Sequence, residues 1–319
     1  MKDRSRPIGI CIVGEGAMGH THAEVLAKLP GVRLSALAAG DAEAGDAFAR
    51  QWNIPFVSTR IEDCLGRSDV DALVIASPSG LHVAHGLLAA AAGKPALIEI
   101  PASLTLAGAE QLAAAQRAAG VPMMLAHSRR FSPAHRHLRD RMRAGSFHLH
   151  HLVVETYFLR RTNLNMLGQP RSWTDHLLWH HACHSIDLAA WLLEDEDFDV
   201  WGQQGPKHAT LGIAMDMSIG MRGRRSGTLV TMALSFNNKG PFGGFYRYIG
   251  EEDTCRVFRD ELTDGEGRRV PLEGTAFALQ DGEFIEALRT GRTPESDIHA
   301  VLPAMRLLER IDRCMAAAG

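Results

Sequence analysis

The sequence predicts an α/β protein with a doubly wound parallel sheet first and an α+β domain with a largely antiparallel sheet second. From Ile8 to about His127, short apolar runs alternate with Ala-rich helical stretches, a rhythm typical of parallel strands joined by helices. After Arg130 the strands follow one another more directly, which is typical of antiparallel pairing. We expect two domains, spanning residues 1–128 and 129–319.

Composition limits the classes of function. The 319 residues are 45% hydrophobic and 22% charged, as in an ordinary folded globular protein. A net charge of -3 argues against a nucleic-acid partner. The five cysteines form no C-x-x-C pair, which favours a reducing compartment, and no run approaches the ~18 apolar residues of a membrane span. We therefore expect a cytoplasmic protein, and we interpret the first apolar run as a strand rather than a signal peptide.

A glycine motif lies between the first predicted strand and the first predicted helix. It reads Gly14-Glu15-Gly16-Ala17-Met18-Gly19 and matches G-x-G-x-x-G. Such glycines let the backbone turn sharply and approach a pyrophosphate, whose charge the helix N-terminus stabilises. A plain tight turn is the alternative. The context favours a Rossmann dinucleotide site, with Gly14, Gly16, Ala17, Met18 and Gly19 as contacts.

The end of the second predicted strand bears on the choice between NAD and NADP. An acidic residue there binds the ribose hydroxyls of NAD, whereas an arginine accepts the phosphate of NADP. The chain has Ala39-Gly40-Asp41, which favours NAD, although Asp41 as a helix cap stays open. The ends of later strands supply further candidate cofactor residues. These are Ser77, Pro78, His82, Glu99 and Pro101.

The most unusual segment is RSWTDHLLWHHACHSID, residues 171–187. It is predicted to be a helix that starts with the capping signature of Ser172 and Asp175. At about 100° per residue, one side is polar and the opposite side apolar. The polar side carries His176, His180, His184 and Asp187; the apolar side carries Leu178, Ala182, Ile186 and Ala189. Because imidazoles move protons near neutral pH, the polar side is predicted to be an active-site wall.

Two other chemistries of this segment stay open. His176, His180 and His184 have the spacing of zinc ligands, but the glutamate of H-E-x-x-H is missing, so we predict no metal. Cys183 could be a nucleophile, but its apolar-side position favours packing.

Arginines of the second half are candidates for substrate binding. A guanidinium matches a carboxylate through two parallel N–H groups, so several in one pocket would suit a polyanion. Most surface arginines are solvated or salt-bridged, so we expect about two of the six candidate arginines to touch substrate. The predicted substrate residues are Arg129, Arg130, Arg160, Arg161, Asn163, Arg171, Trp173 and Arg247.

Nearly the whole chain resembles the Gfo/Idh/MocA oxidoreductases. That family usually carries Glu-Lys-Pro after the fifth strand and Asp-x-Gly-x-His-x-x-Asp in the second domain. Glu99 and Pro101 match the first motif with Ile100 at the lysine position, while His184 and Asp187 match the second with His180 at the first aspartate. The resemblance implies a Rossmann domain, an open-faced second sheet through which two subunits pair, and NAD or NADP as cofactor.

Longer strings resemble one branch of this family: TYFLRRTN, RSWTDHLLWHH, LGIAMDMSI and SFNNKGPFGGFYRYIG. That branch acts after protocatechuate 4,5-cleavage in the breakdown of lignin-derived aromatics. It oxidises the cyclic hemiacetal of a dicarboxylate semialdehyde to 2-pyrone-4,6-dicarboxylate, and its members carry Ser-Arg where this chain has Ala39-Gly40. NAD and NADP therefore both stay open.

The resemblance implies roles for residues of this chain. They are His184 as the base, His180 or His181 as the residue that orients it or binds the substrate ring, and Arg160, Arg161 and Arg171 as first choices for the carboxylates. Two alternative functions stay open, a sugar or polyol dehydrogenase and a nicotinamide-sensing regulator. A related ring-cleavage semialdehyde stays open as an alternative substrate.

Overall fold

The protein is described by a computed structural model that covers residues 6–164, 168, 170–171, 173–241 and 243–317. These residues form two compact units. The first contains 6–127, 168 and 277–302; the second contains 128–164, 170–171, 173–241, 243–276 and 303–317. Residues 277–302, which the sequence assigned to the second domain, thus cluster with the first unit. Among the described residues, no helix is long and apolar enough to cross a membrane.

The first unit is built on a parallel sheet. Its strands are β1 (Ile8–Val13), β2 (Val32–Ala38), β3 (Val57–Ser58), β4 (Ala72–Ile75), β5 (Ala96–Ile98) and β6 (Met123–Leu125). Its order is β3-β2-β1-β4-β5-β6, the doubly wound order of dinucleotide-binding domains. The strand interiors are almost wholly buried, which explains their unbroken apolar runs. The predicted Rossmann fold is confirmed.

Helices connect these strands. They are α1 (Ala17–Leu26), α2 (Ala42–Trp52), α3 (Ile61–Leu65), α4 (His82–Ala91) and α5 (Leu106–Ala119). Thr105 caps α5 by accepting a hydrogen bond from Gly108 N, and Gly120 ends it at a φ of 65°.

The second unit contains a mixed, largely antiparallel sheet. Its strands are β7 (Leu149–Tyr157), β8 (Phe198–Gln204), β9 (Asp216–Gly223), β10 (Leu229–Ser235), β11 (Gly243–Gly250), β12 (Thr254–Phe258), β13 (Glu261–Thr263) and β14 (Arg269–Val270). The order is β14-β13-β12-β11-β7-β10-β9-β8, and β7 and β10 form the parallel pair. The prediction of a largely antiparallel second sheet is confirmed.

One face of this sheet is covered by a helix. Two helices of the unit are α6 (Pro133–Arg143) and α7 (Cys183–Leu193). Along β11, Tyr246 and Tyr248 are buried while Arg247 between them is exposed, as a period of two dictates. The Tyr246 hydroxyl lies 3.1 Å from the Ser185 hydroxyl of α7. Arg247 therefore lies on the opposite face from α7.

The chain ends with α8 (Ala276–Thr290) and α9 (Ile298–Ala317). Pro303 lies inside α9, where its missing N–H removes one hydrogen bond of the helix.

Candidate functional site

The glycine motif has three distinct local environments. Gly14 has a φ of +106°, and a Cβ there would lie 2.6 Å from Ala76 O. A Cβ on Gly19 would lie 2.1 Å from Gly14 O, so this glycine lets α1 pack directly on the loop. A Cβ on Gly16 would have no atom of the described residues within 4 Å, so this glycine faces open space. The loop therefore turns and packs through its outer glycines and leaves the middle one accessible.

The N-terminus of α1 is arranged for an anion. Gly16 is its N-cap and forms no side-chain capping hydrogen bond, and Ala17 and Met18 begin the first turn. Backbone N–H groups at a helix start bind phosphate when no side chain occupies them. Residues 14–19 thus fit the pyrophosphate of a dinucleotide.

At the end of β2, Asp41 is a helix cap. Its carboxylate accepts a hydrogen bond from Ala44 N at 2.9 Å, and α2 begins at the next residue. Ala39 N donates to Ser58 O at 2.9 Å. The carboxylate of Glu15, from the glycine motif, accepts from Gly40 N at 2.8 Å and from Asp41 N at 3.1 Å.

Side chains from the ends of β4 and β5 meet at His82. Its Nδ1 lies 2.8 Å from Pro101 O and its Nε2 lies 2.8 Å from Ser77 O. Burial lowers the pKa of His82, which favours the neutral ring, and a neutral ring donates only one of these hydrogen bonds. Pro78 begins the short turn that follows Ser77, since its carbonyl accepts from Leu81 N. The structure thus brings together Ser77, Pro78, His82 and Pro101.

Glu99 belongs to a buried ionic cluster. One of its oxygens lies 3.0 Å from His22 Nε2, and the other accepts from Ile100 N at 3.0 Å. The Nδ1 of His22 lies 2.9 Å from Asp281 of α8. Burial alone would lower the pKa of His22, but Asp281 and Glu99 outweigh it and raise the pKa to about 10. His22 is thus an imidazolium at neutral pH that holds Glu99 against the backbone of Ile100.

In the second unit, the histidine helix begins later than predicted. A π-helical turn spans Leu177–Ala182 and leads into α7. The cap is His176, whose Nδ1 accepts from Leu178 N at 3.2 Å. The prediction that the helix begins at Ser172 is wrong, because the helical segment begins at Leu177. Ser172 itself lies outside the described residues. Asp175 precedes the helix and binds arginines instead.

The predicted apolar side is confirmed, since all of its four side chains are buried. On the predicted polar side, His176 and His184 are half-buried, whereas His180 and Asp187 are buried, Asp187 fully. Its carboxylate pairs with the guanidinium of Arg130 through hydrogen bonds of 2.7 and 2.5 Å. Arg130 therefore neutralises Asp187 inside this unit. Cys183 is buried, as its packing interpretation predicts.

Asp175 organises the cationic groups of the site. Its carboxylate lies 2.5 Å from Arg160 Nη2, 2.6 Å from Arg171 Nη1 and 3.6 Å from His181 Nε2. The last distance is too long for a hydrogen bond but short enough for electrostatic attraction. Burial alone would raise the pKa of Asp175, but His181, Arg171 and Arg160 outweigh it and hold the pKa well below its usual range.

Arg171 has a buried guanidinium and is held by contacts with Asp175 and Trp173. Its side chain is 9% exposed, and its guanidinium carbon lies 4.6 Å from the centre of the Trp173 ring. The Asn163 amide donates to Arg171 O and Trp173 O at 3.2 and 2.8 Å, which fixes this segment. Its Nε and Nη2 are buried and have no hydrogen-bond partner among the described residues. A buried guanidinium with two unused N–H positions is suited to an anionic ligand.

His180 is a neutral donor. Its ring stacks on Trp173 with centroids 5.0 Å apart, and its Nδ1 accepts from His176 N at 3.0 Å. An Nδ1 that accepts leaves the ring proton on Nε2. Burial lowers the pKa of His180 to about 4. His180 is therefore neutral at neutral pH, with its ring proton on Nε2.

The other two candidate histidines differ in their surroundings. His181 lies between Phe158 and Phe236, with each ring centroid 5.2 Å away. His184 lies half-buried in the first turn of α7, one residue before Ser185.

Three further predicted arginines lie apart from Asp175. Arg161 is exposed and donates to Arg160 O and Phe236 O. Arg129 lies near the Tyr246 ring, at 5.9 Å from its centroid. Arg247 lies on the sheet face opposite α7. The structure thus gathers six of the predicted residues around Asp175 and leaves Arg129, Arg130, Arg161 and Arg247 outside this cluster. The six are Arg160, Asn163, Arg171, Trp173, His180 and His181.

Sequence reasoning missed Asp175, His22 and Glu15 as site residues. Each had a weak signal: Asp175 is four residues after Arg171, and His22 is three residues after Gly19. Glu15 stands inside the glycine motif itself. The partners of His22 and Glu15 are distant in the sequence, and Arg171 and Asp175 lie outside the helix. Spacing along the sequence therefore did not reveal these contacts.

One group of metal-type ligand atoms occurs in the part of the chain that the structure describes. It consists of His148, Glu251 and Glu252, which are all exposed. The set of His176, His180 and His184 considered for zinc is not such a group, and His180 Nδ1 is already occupied.

The doubly wound unit with its open glycine loop, together with the histidine and arginine cluster, defines a class: an NAD(P)-dependent dehydrogenase. Residues 8–127 match the oxidoreductase family with an NAD-binding Rossmann fold, Gfo/Idh/MocA. Residues 133–276 match the C-terminal domain of bacterial oxidoreductases. The chain belongs to the Gfo/Idh/MocA family.

Relatives with stated activities support this placement. The chain is 37% identical to 4-carboxy-2-hydroxymuconate-6-semialdehyde dehydrogenase of Sphingobium sp. strain SYK-6, over 95% of this chain and 97% of that protein. It is 30% identical to inositol 2-dehydrogenase of Acidothermus cellulolyticus, over 90% and 85%. Scyllo-inositol dehydrogenase of Lactobacillus casei, solved with NAD(H) and scyllo-inositol, shares the fold at a TM-score of 0.82 and 18% identity, over 98% of both chains.

Proposed function

We propose that this dehydrogenase oxidises the cyclic hemiacetal of 4-carboxy-2-hydroxymuconate-6-semialdehyde to 2-pyrone-4,6-dicarboxylate. The observation that carries the proposal is the buried guanidinium of Arg171, two of whose N–H positions have no hydrogen-bond partner among the described residues. Two arginines face one carboxylate at Asp175, so the cluster has an uncompensated positive charge that an anionic substrate would neutralise. A neutral polyol would leave that charge in place. The activity of the Sphingobium relative agrees with this choice.

The reaction requires one proton acceptor and one hydride acceptor. The hemiacetal O–H proton passes to a base, the hydrogen on the same carbon leaves as hydride, and the C–O bond becomes the lactone carbonyl. When bound, the nicotinamide ring supplies the hydride acceptor. Its dinucleotide would be held by Gly14, Gly16 and Gly19 at the start of α1.

Among the histidines, we assign the base to His184 and the donor to His180. His184 occupies the position of the family's motif histidine. His180 donates its Nε2–H to the hemiacetal oxygen and so stabilises negative charge as the proton leaves. His181, beside Asp175, orients the substrate. Ile100 occupies the position of the lysine in the family's Glu-Lys-Pro motif, so this chain has no ionisable side chain there.

The proposal is tested by reduced-nicotinamide formation from freshly generated semialdehyde, with NAD and NADP in parallel and myo-inositol as the comparison substrate. We expect rapid turnover to the pyrone dicarboxylate and little turnover of inositol. Turnover of polyols with indifference to dicarboxylates would identify a polyol dehydrogenase. Nucleotide binding without hydride transfer to any substrate would identify a sensor.

The base assignment has its own test. A His184→Ala variant should lose at least about 10²-fold in kcat, because general bases contribute roughly 10²–10⁴-fold. A variant that keeps more than about a tenth of wild-type turnover would move the base to His181.

We also propose a cytoplasmic homodimer paired through the exposed face of the second sheet. Trp201 and Leu229 lie on that face and are 53% and 48% exposed. None of the five cysteines forms a disulfide, which agrees with a reducing compartment. Sedimentation velocity of the wild type and of Trp201→Glu tests the pairing, since the variant should be monomeric. A wild type that sediments as a monomer contradicts it.

A further inference from the structure

The glycine motif contributes a side chain that the dinucleotide fingerprint itself does not assign. We propose that Glu15 makes this enzyme prefer NAD over NADP. The inference rests on the NAD(P) dependence of the chain and is independent of the substrate proposed above.

Glu15 occupies the hydrogen-bond donors at the end of β2. One oxygen of its carboxylate accepts from Gly40 N at 2.8 Å, and the other accepts from Asp41 N at 3.1 Å. The carboxylate lies close against Gly40, since a Cβ there would be in van der Waals contact with Glu15 Oε1 at 3.4 Å. A half-buried carboxylate is thus fixed where Rossmann domains distinguish the two nucleotides.

The phosphate of NADP would meet two obstacles here. A phosphate monoester carries about −1.5 to −2 charges near pH 7 and needs donors for its oxygens. The two backbone N–H groups already serve Glu15, and the segment Ala39-Gly40-Asp41 offers no cationic side chain. The carboxylates of Glu15 and Asp41 add like charge, which repels the phosphate.

NAD has no such difficulty. Its ribose carries hydroxyl groups, which donate hydrogen bonds to a carboxylate. A carboxylate oxygen has two lone pairs, so Glu15 accepts from a backbone N–H and from a ribose hydroxyl together.

Asp41 is the rival for this role, since it stands at the position that usually carries the selecting acid. Its carboxylate caps α2 through Ala44 N, so its removal costs helix stability. Glu15 lies before α1 and caps no helix. The two residues are therefore separable by experiment.

The experiment measures dissociation constants of NAD and NADP by calorimetry for the wild type, Glu15→Gln, Asp41→Asn and Glu43→Gln. Glu43 is the matched control, because it is an exposed acid in the first turn of α2. We expect the wild type to bind NAD about 10²-fold more tightly than NADP, as unpaired like charges discriminate strongly. Glu15→Gln should reduce this ratio at least about tenfold, mainly by tighter NADP binding, and Glu43→Gln should leave it unchanged.

Salt gives a second readout that needs no variant. In the wild type, the ratio of NAD affinity to NADP affinity should fall as the salt concentration rises, because salt screens the repulsion between the NADP phosphate and the Glu15 carboxylate. Equal affinity of the wild type for both nucleotides would overturn the proposal. So would a ratio in Glu15→Gln within about twofold of the wild type, or a shift in Asp41→Asn alone.

Discussion

A single backbone hydrogen bond determines what His180 can do. The N–H of His176 donates to its Nδ1, and this leaves the ring proton on Nε2. Trp173 stacks on the ring, and burial lowers its pKa to about 4. The general family motif that the sequence resembles has an aspartate, a hydrogen-bond acceptor at neutral pH, at this position, so histidine here replaces an acceptor by a donor. This conversion suits an oxygen that becomes negative during the reaction.

Variants of His180 test this role. His180→Ala should lose about 10²–10³-fold in kcat, the usual effect of removing one donor at a developing oxyanion. His180→Gln keeps an N–H donor and should recover part of that loss, with the acid limb of the pH–kcat profile unchanged. If that limb disappears in His180→Gln, His180 is itself the titrating base.

At the scale of elements, the glycine loop and α1 form a fixed frame for the nucleotide. Gly14 and Gly19 are required by contacts within the fold, whereas Gly16 faces open space. The two kinds of glycine should therefore respond differently to the same substitution.

Alanine at Gly16 and at Gly19 separates these roles. Gly16→Ala should fold normally but weaken NAD binding at least about tenfold, because the added methyl occupies the space that the pyrophosphate approaches. Gly19→Ala should lower the free energy of unfolding by roughly 1–3 kcal/mol, because its Cβ would meet Gly14 O. Urea denaturation and calorimetric titration of both variants check this, and identical effects at the two positions would contradict it.

The helix of the histidine segment shows where sequence patterns succeed and fail. The apolar side was predicted because burial follows directly from periodicity. The start was not, because the cap is a histidine and the first turn is π-helical, a geometry that side-chain spacing does not signal. Asp187 was placed on the polar side because a helical wheel does not show its distant partner, Arg130.

At the scale of the whole molecule, the sequence predicted the fold better than the site. Alternating apolar runs and the glycine motif determine the parallel sheet, and those signals are local. The contacts of Asp281 with His22 and of Glu15 with Gly40 join residues 259 and 25 positions apart. Such pairs depend on the folded topology, so composition and spacing do not reveal them.

The His22 cluster should make stability depend on pH. Its pKa of about 10 exceeds the unfolded value of about 6.5, so its contribution is fully present below about pH 6.5 and is lost as the pH rises through about 10. Between these values, the free energy of unfolding should fall by up to about 1.4 kcal/mol per pH unit more in the wild type than in His22→Gln. Urea denaturation at pH 6.5, 8 and 9.5 measures the difference, and parallel slopes would show that His22 is neutral in the folded state.

The central claim is that Arg171, held by Asp175, binds a substrate carboxylate. The most direct measurement is kcat/KM of the wild type and of Arg171→Met with the semialdehyde and with analogues that lack each carboxylate in turn. In the wild type, we predict that kcat/KM for one analogue is at least about 10²-fold lower than for the full substrate, because a buried guanidinium is left unpaired. In Arg171→Met, we predict the same kcat/KM for this analogue and for the full substrate. Equal kcat/KM for the substrate and both analogues in the wild type would contradict the claim.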